Sequence, residues 1–310
     1  MIRRGSEVNA KALPPKTEYI LYCRPSQLQV KLMQELCDDM MADPLTIIMH
    51  LRSIANHPSL FLGKNLEEGT RPRIQRLAQQ YASKTSGFVE NSGKLVVFAS
   101  LLVAFAQSGE KAVIFSNFTQ TLDMLASFCR NFNFNVERLD GQVPTKERQK
   151  IVNRFNDPAT PANTILLVST KAGGTGLNLI GASRLVLFDS DWNPANDLQA
   201  MARIWRDGQK KSCHIYRLVT SGTIDEKILQ RQIKKTGLHA IFDMETSVVA
   251  PEFQEEDLKD IFEVETADES NTHRIMGCHC EGDGTTAEER DIEEEGDGDA
   301  ESNEKENKAD

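Results

Sequence analysis

The chain has 310 residues, 39% hydrophobic and 26% charged, with a formal net charge of −10. That is an ordinary globular composition with room for one or two domains, and no run of 18 apolar residues offers a membrane span. The start, MIRRGSEVNA, has no apolar core of a secretory signal, and the six scattered cysteines fit reduced intracellular thiols better than a disulfide framework.

In chain order, residues 1–92 read as helices and connectors. Leu13-Pro14-Pro15-Lys16 is an extended stop. Leu28, Leu32, Leu36 and Met40 recur at helical spacing after Ser26. A second helical run, Leu45 to Ala55, is stopped by proline at Asn56-His57-Pro58. Residues 63–92 are polar and are expected to form a partly mobile connector.

From residue 93 to 245 the pattern changes to apolar helices alternating with short apolar strands. The helix Lys94–Gln107 leads to the strand Ala112–Phe115, the helix Gln120–Phe132, the strand Val136–Leu139 and the helix Thr145–Phe155. Then follow the strands Thr164–Val168 and Arg184–Phe188, the helix Pro194–Trp205, the strand Cys213–Val219 and the helix Ile224–Lys235. Such alternation predicts an α/β fold, a parallel sheet with helices on both faces, whose ligands sit beyond the C-terminal ends of the strands.

The acidity is uneven. Residues 281–310 carry 14 acidic and 3 basic side chains, which leaves the first 280 residues close to neutral. The terminal segment is too polar to bury itself and is expected to be a disordered acidic tail, able to compete with an anionic ligand for a basic face. Residues 246–280 form a C-terminal extension. His273, Cys278 and Cys280 in it are candidate ligands for a structural zinc ion, with a fourth ligand needed from elsewhere; ordinary surface thiols are the plainer alternative.

Four strand ends carry chemistry. Ile114-Phe115-Ser116 brings a buried strand to a small polar edge. Asp140-Gly141 makes a turn, Thr145 is placed to cap the next helix, and Lys146 and Arg148 fall in that helix's first turn, where bound phosphate would balance their charge. Ser169-Thr170-Lys171-Ala172-Gly173-Gly174-Thr175-Gly176 is glycine-rich and hydroxyl-rich, suited to close approach by phosphate. On the helix from Pro194, Leu198, Met201, Ala202 and Trp205 fall on one stripe and Gln199, Arg203 and Arg206 on a second. Two arginines one turn apart suit a bidentate grip on phosphate, although a solvated face would carry the same pattern.

In order and spacing these segments resemble motifs IV to VI of helicase superfamily 2. Ser169 to Leu179, Asp189-Ser190-Asp191-Trp192-Asn193-Pro194, and Leu51-Arg52 through Asn56-His57-Pro58 are similar to its SWI/SNF-like branch. Arg203-Ile204-Trp205-Arg206-Asp207-Gly208-Gln209, Arg3-Arg4 and Leu13-Pro14-Pro15-Lys16 resemble the Rad-fifty-four-type recombination-repair translocases. The resemblance covers about residues 1–280. It implies a RecA-like second helicase lobe at 93–245, preceded by a helical family-specific segment (1–92), in an ATP-dependent translocase on double-stranded DNA acting in homologous recombination in the nucleus.

By that resemblance Arg203 and Arg206 are arginine fingers, and Gln199, Gly174 and Gly176 lie at the nucleotide. Ser116, Gly141, Lys146, Arg148, Thr170 and Lys171 meet DNA phosphates, with Trp192 near the DNA. ATP and magnesium would be held mainly by a first RecA-like lobe, and a recombinase filament is the expected protein partner. The sequence contains no G-x-x-x-x-G-K-[ST]; the string from Gly87 to Leu95 has one residue too many and ends on Leu95. Asp268-Glu269 matches an Asp-Glu box only in two letters. The chain is therefore expected to begin where the first lobe ends and to be inactive on its own. The competing readings are a lone lobe that binds DNA or a recombinase without turnover, and a nucleotide-binding protein of another α/β family.

Overall fold

The computed structural model describes residues 13–38, 43–65, 72–83, 87–173, 176–236, 260–265 and 270–272. Two compact units are distinguished, Met1–Asp268 and Glu269–Asp310. The candidate zinc ligands and the acidic segment 281–310 lie outside the described residues.

The first unit is built on six strands: β1 (Lys16–Cys23), β2 (Ala112–Ser116), β3 (Asn135–Leu139), β4 (Thr164–Ser169), β5 (Arg184–Leu187) and β6 (Cys213–Thr220). All pairings are parallel, in the order β1-β6-β5-β2-β4-β3. The helices are α1 (Gln27–Cys37), α2 (Pro44–Asn56), α3 (Pro58–Asn65), α4 (Pro72–Ser83), α5 (Gly93–Ser108), α6 (Thr119–Asn131), α7 (Thr145–Asn156), the short α8 (Thr170–Gly173), α9 (Pro194–Met201) and α10 (Ile224–Thr236). No described helix is long and apolar enough to cross a membrane.

Strand alternation explains why β2, β4 and β5 are apolar between their end residues. Ile114, Ile165, Leu167 and Val186 point into a core with Leu95, Phe98 and Leu102 of α5 and Leu122, Leu125 and Phe128 of α6. Val113, Phe115, Leu166, Val168 and Leu185 point the other way, onto Val152 and Phe155 of α7 and Met201 of α9. Both faces are covered, so neither set of side chains can be polar.

Three features depart from the sequence expectation. First, the expectation of helices and connectors for residues 1–92 includes no strand, yet Lys16–Cys23 forms the edge strand β1 in register with β6. Its alternation is weak because only Cys23 is fully buried. The segment before residue 93 therefore shares the sheet. Second, the polar connector contains α4, which buries Ile74 and Ala78, one turn apart, among Leu32, Leu36 and Phe61. Third, the helix from Pro194 ends at Met201. The carbonyl of Arg203 takes the Leu179 N–H (3.0 Å) and that of Ile204 takes Gln209 Nε2 (3.0 Å), so tertiary donors claim the carbonyls that a continuing helix would use. The proposed stripe is corrected accordingly: Pro194, Asp197, Ala200 and Met201 are buried, whereas Leu198 and Ala202 are exposed.

His57, at the end of α2, is fully buried. Its Nε2 lies 2.8 Å from the Phe88 carbonyl and its Nδ1 3.1 Å from the Ser59 N–H, which defines a neutral imidazole protonated at Nε2. Burial pushes its pKa from 6.5 down to about 4. The unfolded chain therefore binds a proton, between about pH 6.5 and about pH 4, that the folded chain refuses, and stability falls as pH falls. The shift corresponds to roughly 3 kcal/mol. Asp197 works in the opposite sense, since burial raises its pKa to about 6. Urea midpoints at neutral pH and near pH 4 should converge in His57→Gln; an undiminished acid loss there contradicts the assignment.

Candidate nucleotide and DNA interface

β2 runs into α6 on one face of the sheet, while β5, its neighbour, runs into α9 on the other. Adjacent strands whose connections part in this way leave a crevice at their carboxyl ends, the usual ligand position in such sheets. Ser116, Asp140, Ser169 and Asp189 stand at or just beyond the ends of four strands, β2 to β5, along this edge.

The glycine loop after β4 begins with Ser169, whose Oγ accepts the Ala172 N–H at 3.2 Å and starts α8. Lys171 is exposed and Thr170 half-buried. Gly176 has φ +72°, a conformation that a side chain strains, whereas Gly174 lies outside the described residues. Arg206 reaches back to this loop: its Nη1 donates to the Leu177 carbonyl at 3.2 Å. Arg203 stands beside Arg206, and its Nε is buried with no hydrogen-bond partner among the described residues. Burial, then the Arg206 charge, lowers the Arg203 pKa. A buried guanidinium N–H costs free energy when unmatched. Gln209 staples the same turn: its Nε2 donates to the carbonyls of Ala182 (2.8 Å) and Ile204 (3.0 Å). Gln199 is exposed on α9.

On the other side, the Asp140-Gly141 turn is braced by Arg148, whose Nε donates to the Val143 carbonyl at 2.9 Å. Arg148 therefore has only part of its guanidinium to offer a ligand. Pro144, not Thr145, is the N-cap of α7, and no side chain caps it; Thr145 is already helical. Gly141 and Lys146 are exposed. An open polar pocket of about 410 Å³ adjoins this turn, and its Arg138 is held by Asp123 and Asp140.

Ser116 is fully enclosed, with its hydroxyl 2.5 Å from Asp189 Oδ2. In the ligand-free chain this hydroxyl holds the loop, and the half-exposed Asn117-Phe118 form the tip. Trp192 is 37% exposed on the β5 loop, with the Arg231 guanidinium 5.7 Å from its ring centroid. Sequence reasoning missed the buried residues behind these loops: Arg52, Asn56, Lys94 and Asp189. One signal was legible, since Lys94 is a lone charge in the apolar helix GKLVVFASLLVAFAQS. Among the described residues no cluster of His, Cys, Asp or Glu is arranged to hold a metal.

Residues 93–208 match the helicase conserved C-terminal domain. Strand order and loop placement agree with that match, so this part of the chain is a helicase C-terminal lobe of RecA-like fold. Over 91% of its length the chain is 40% identical to the DNA repair and recombination protein RAD54B of Gallus gallus, covering 33% of that protein. It is 43% identical over 90% of its length to the human RAD54-like protein, covering 39% of it, and 42% identical over 93% to yeast RDH54, covering 32%. These similarities are to RAD54-type DNA repair and recombination proteins, and the chain spans about a third of the length of these relatives. Among solved structures, the C-terminal part of the Fun30 ATPase domain superposes with a TM-score of 0.58 at 24% identity, over 81% of this chain and 97% of that one. The Sulfolobus solfataricus SWI2/SNF2 ATPase core in complex with dsDNA superposes with a TM-score of 0.57 at 24% identity, over 81% of this chain and 51% of that one. At that identity the likeness concerns the fold.

Proposed function

We propose that this chain supplies the second lobe of an ATP-dependent translocase on double-stranded DNA, working in homologous recombination and repair in the nucleus, with a recombinase filament as protein partner. The observation that carries the reading is the buried, unmatched Nε of Arg203 beside Arg206, in the turn that follows α9. A phosphate presented by a first lobe would supply the missing acceptor. Arg203 and Arg206 would then stabilise charge developing on the transferred phosphoryl group. Gln199, Gly174 and Gly176 would border the nucleotide. Magnesium would neutralise the phosphates from the first lobe's side, and no residue described here is assigned to it. Zinc on His273, Cys278 and Cys280 is a proposal that rests on the sequence alone.

The DNA track in this reading runs over Gly141, Lys146, Thr170 and Lys171, with Trp192 at its border. Contacts to phosphate position a protein without reading bases. Lys171→Ala and Lys146→Ala should therefore weaken duplex binding equally across sequences. Each should reduce the slope of log affinity against log salt by about one. Titrations of two unrelated duplexes at several salt concentrations check this, and a loss confined to one sequence contradicts it.

The test of the whole reading is steady-state ATP hydrolysis with and without duplex DNA, on the chain alone and joined to a relative's first lobe. Turnover is expected only in the joined form and only with DNA. A chain that binds DNA but never completes an ATPase supports the alternative, a lone binding lobe.

A further inference from the structure

Behind the β2 and β5 loops lies a buried polar network that neither reading uses. Asp189, 2% exposed, receives four donors on its one carboxylate. Oδ1 accepts the Asn117 backbone N–H and its Nδ2, both at 2.8 Å. Oδ2 accepts the Ser116 hydroxyl at 2.5 Å and Asn56 Nδ2 at 3.0 Å. Asn56 belongs to α2, outside the helicase-domain match. Its amide orientation is fixed because its Oδ1 accepts the Lys94 ammonium at 2.9 Å, a group that can only donate. Lys94, fully buried, also pairs with Asp225 at 2.5 Å and donates to the Phe188 carbonyl at 2.8 Å, directly before Asp189. One turn back on α2, Arg52 Nη2 donates to the Ser190 carbonyl at 2.6 Å, and its guanidinium lies 4.7 Å from the Phe118 ring centroid.

Helix α2 thus holds the β5 loop directly, through Asn56 with Asp189 and Arg52 with Ser190, and reaches the β2 loop through Asp189 and through Arg52 against the Phe118 ring. We propose that Asp189 is a positioning residue through which α2 sets the relative placement of the Asn117-Phe118 and Ser190–Trp192 loops, and so tunes the grip on DNA without touching it. This rests on the DNA-interface reading given above.

The chemistry makes a sharp demand. An ionised carboxylate accepts at both oxygens, whereas an asparagine of the same shape offers one oxygen and turns an NH2 group on the other donors. Asp189→Asn keeps volume but sets donor against donor on one side. Asn56→Ala removes one donor and the link to Lys94 while leaving both loops' own residues intact.

The experiment uses the full chain labelled with fluorotryptophan, whose two resonances report Trp192 and Trp205 separately. In Asp189→Asn and Asn56→Ala the Trp192 resonance should shift or broaden, while that of Trp205, held by its own bond to the Pro14 carbonyl, stays. Duplex affinity should fall about tenfold in each, a change of about 1.4 kcal/mol. The double variant should bind no worse than Asp189→Asn alone, because both act through one carboxylate. Lys171→Ala should add independently to either. Ser116→Ala, which removes a single donor, gives the same readings in a milder form if the larger changes prevent folding.

Unchanged Trp192 resonance and unchanged affinity in folded variants overturn the proposal, as does simple additivity of Asn56→Ala with Asp189→Asn. A wild-type chain that binds no duplex, with the Trp192 response still present in the variants, overturns the DNA reading and leaves the coupling of α2 to the loops standing.

Discussion

Arg203→Ala and Arg206→Ala, each introduced into the chain joined to a first lobe, are expected to lower DNA-stimulated ATP turnover by about a thousandfold or more. Duplex affinity should stay nearly unchanged, because neither residue belongs to the proposed DNA track. The two substitutions should still differ. Arg203 has a buried Nε without a partner among the described residues, so its removal relieves a cost in the ligand-free lobe while deleting the donor offered to the phosphate. Arg206 also braces the glycine loop through the Leu177 carbonyl, so its removal should loosen that loop and raise KM for ATP as well. Arg206→Lys keeps the charge but not the planar fork, and should recover little. Steady-state rates with saturating DNA decide the matter. Normal turnover in both alanine variants would show that these arginines are only a solvated turn.

The largest effect on stability is expected from Lys94→Met. Removing one partner of a buried ion pair leaves the other uncompensated, at a cost of about 3–5 kcal/mol. Here the stranded group is Asp225, 4% exposed, and Asn56 Oδ1 and the Phe188 carbonyl lose a donor at the same time. Changing Asp225→Leu together with Lys94→Met removes the uncompensated charge and should restore a large part of the loss. Urea denaturation of the wild type, Lys94→Met and the double variant measures this. A Lys94→Met chain within about 1 kcal/mol of the wild type contradicts the picture of a desolvated pair.

The second result bears on the DNA interface. Lys94 enters the network behind Asp189, so Lys94→Met should disturb the Trp192 resonance as well as the midpoint. A destabilised but locally intact lobe would move only the midpoint. Stability and loop placement are thereby separable within one set of variants.

Local pattern was enough for much of this protein. The apolar runs Ala112–Phe115 of β2 and Ile165–Val168 of β4 are legible because both faces of these strands are covered. The helices α5 to α7 and α10 were placed to within a residue or two at each end, since period and caps are local properties. The glycine loop and the two arginines stood out as residue types suited to phosphate, and their order carried the family resemblance.

What the sequence left open was decided by partners far away along the chain. β1 is an edge strand with one neighbour, so its alternation is weak and its strand character comes from pairing with β6, almost 200 residues on. The helix from Pro194 reads as continuous to Trp205, but Leu179 and Gln209 take its carbonyls, turning Arg203 and Arg206 out of a helical face and against the glycine loop. Ser116 looked like a contact residue, and only the approach of Asp189 from the neighbouring strand encloses it. Asn56, which bonds Asp189, and Lys94, which bonds Asn56 and the Phe188 carbonyl, are 38 residues apart on two different helices. A sequence records which groups can donate and accept; which of them face one another in a dry interior depends on how helices and sheet pack, and that arrangement exists only in the folded chain.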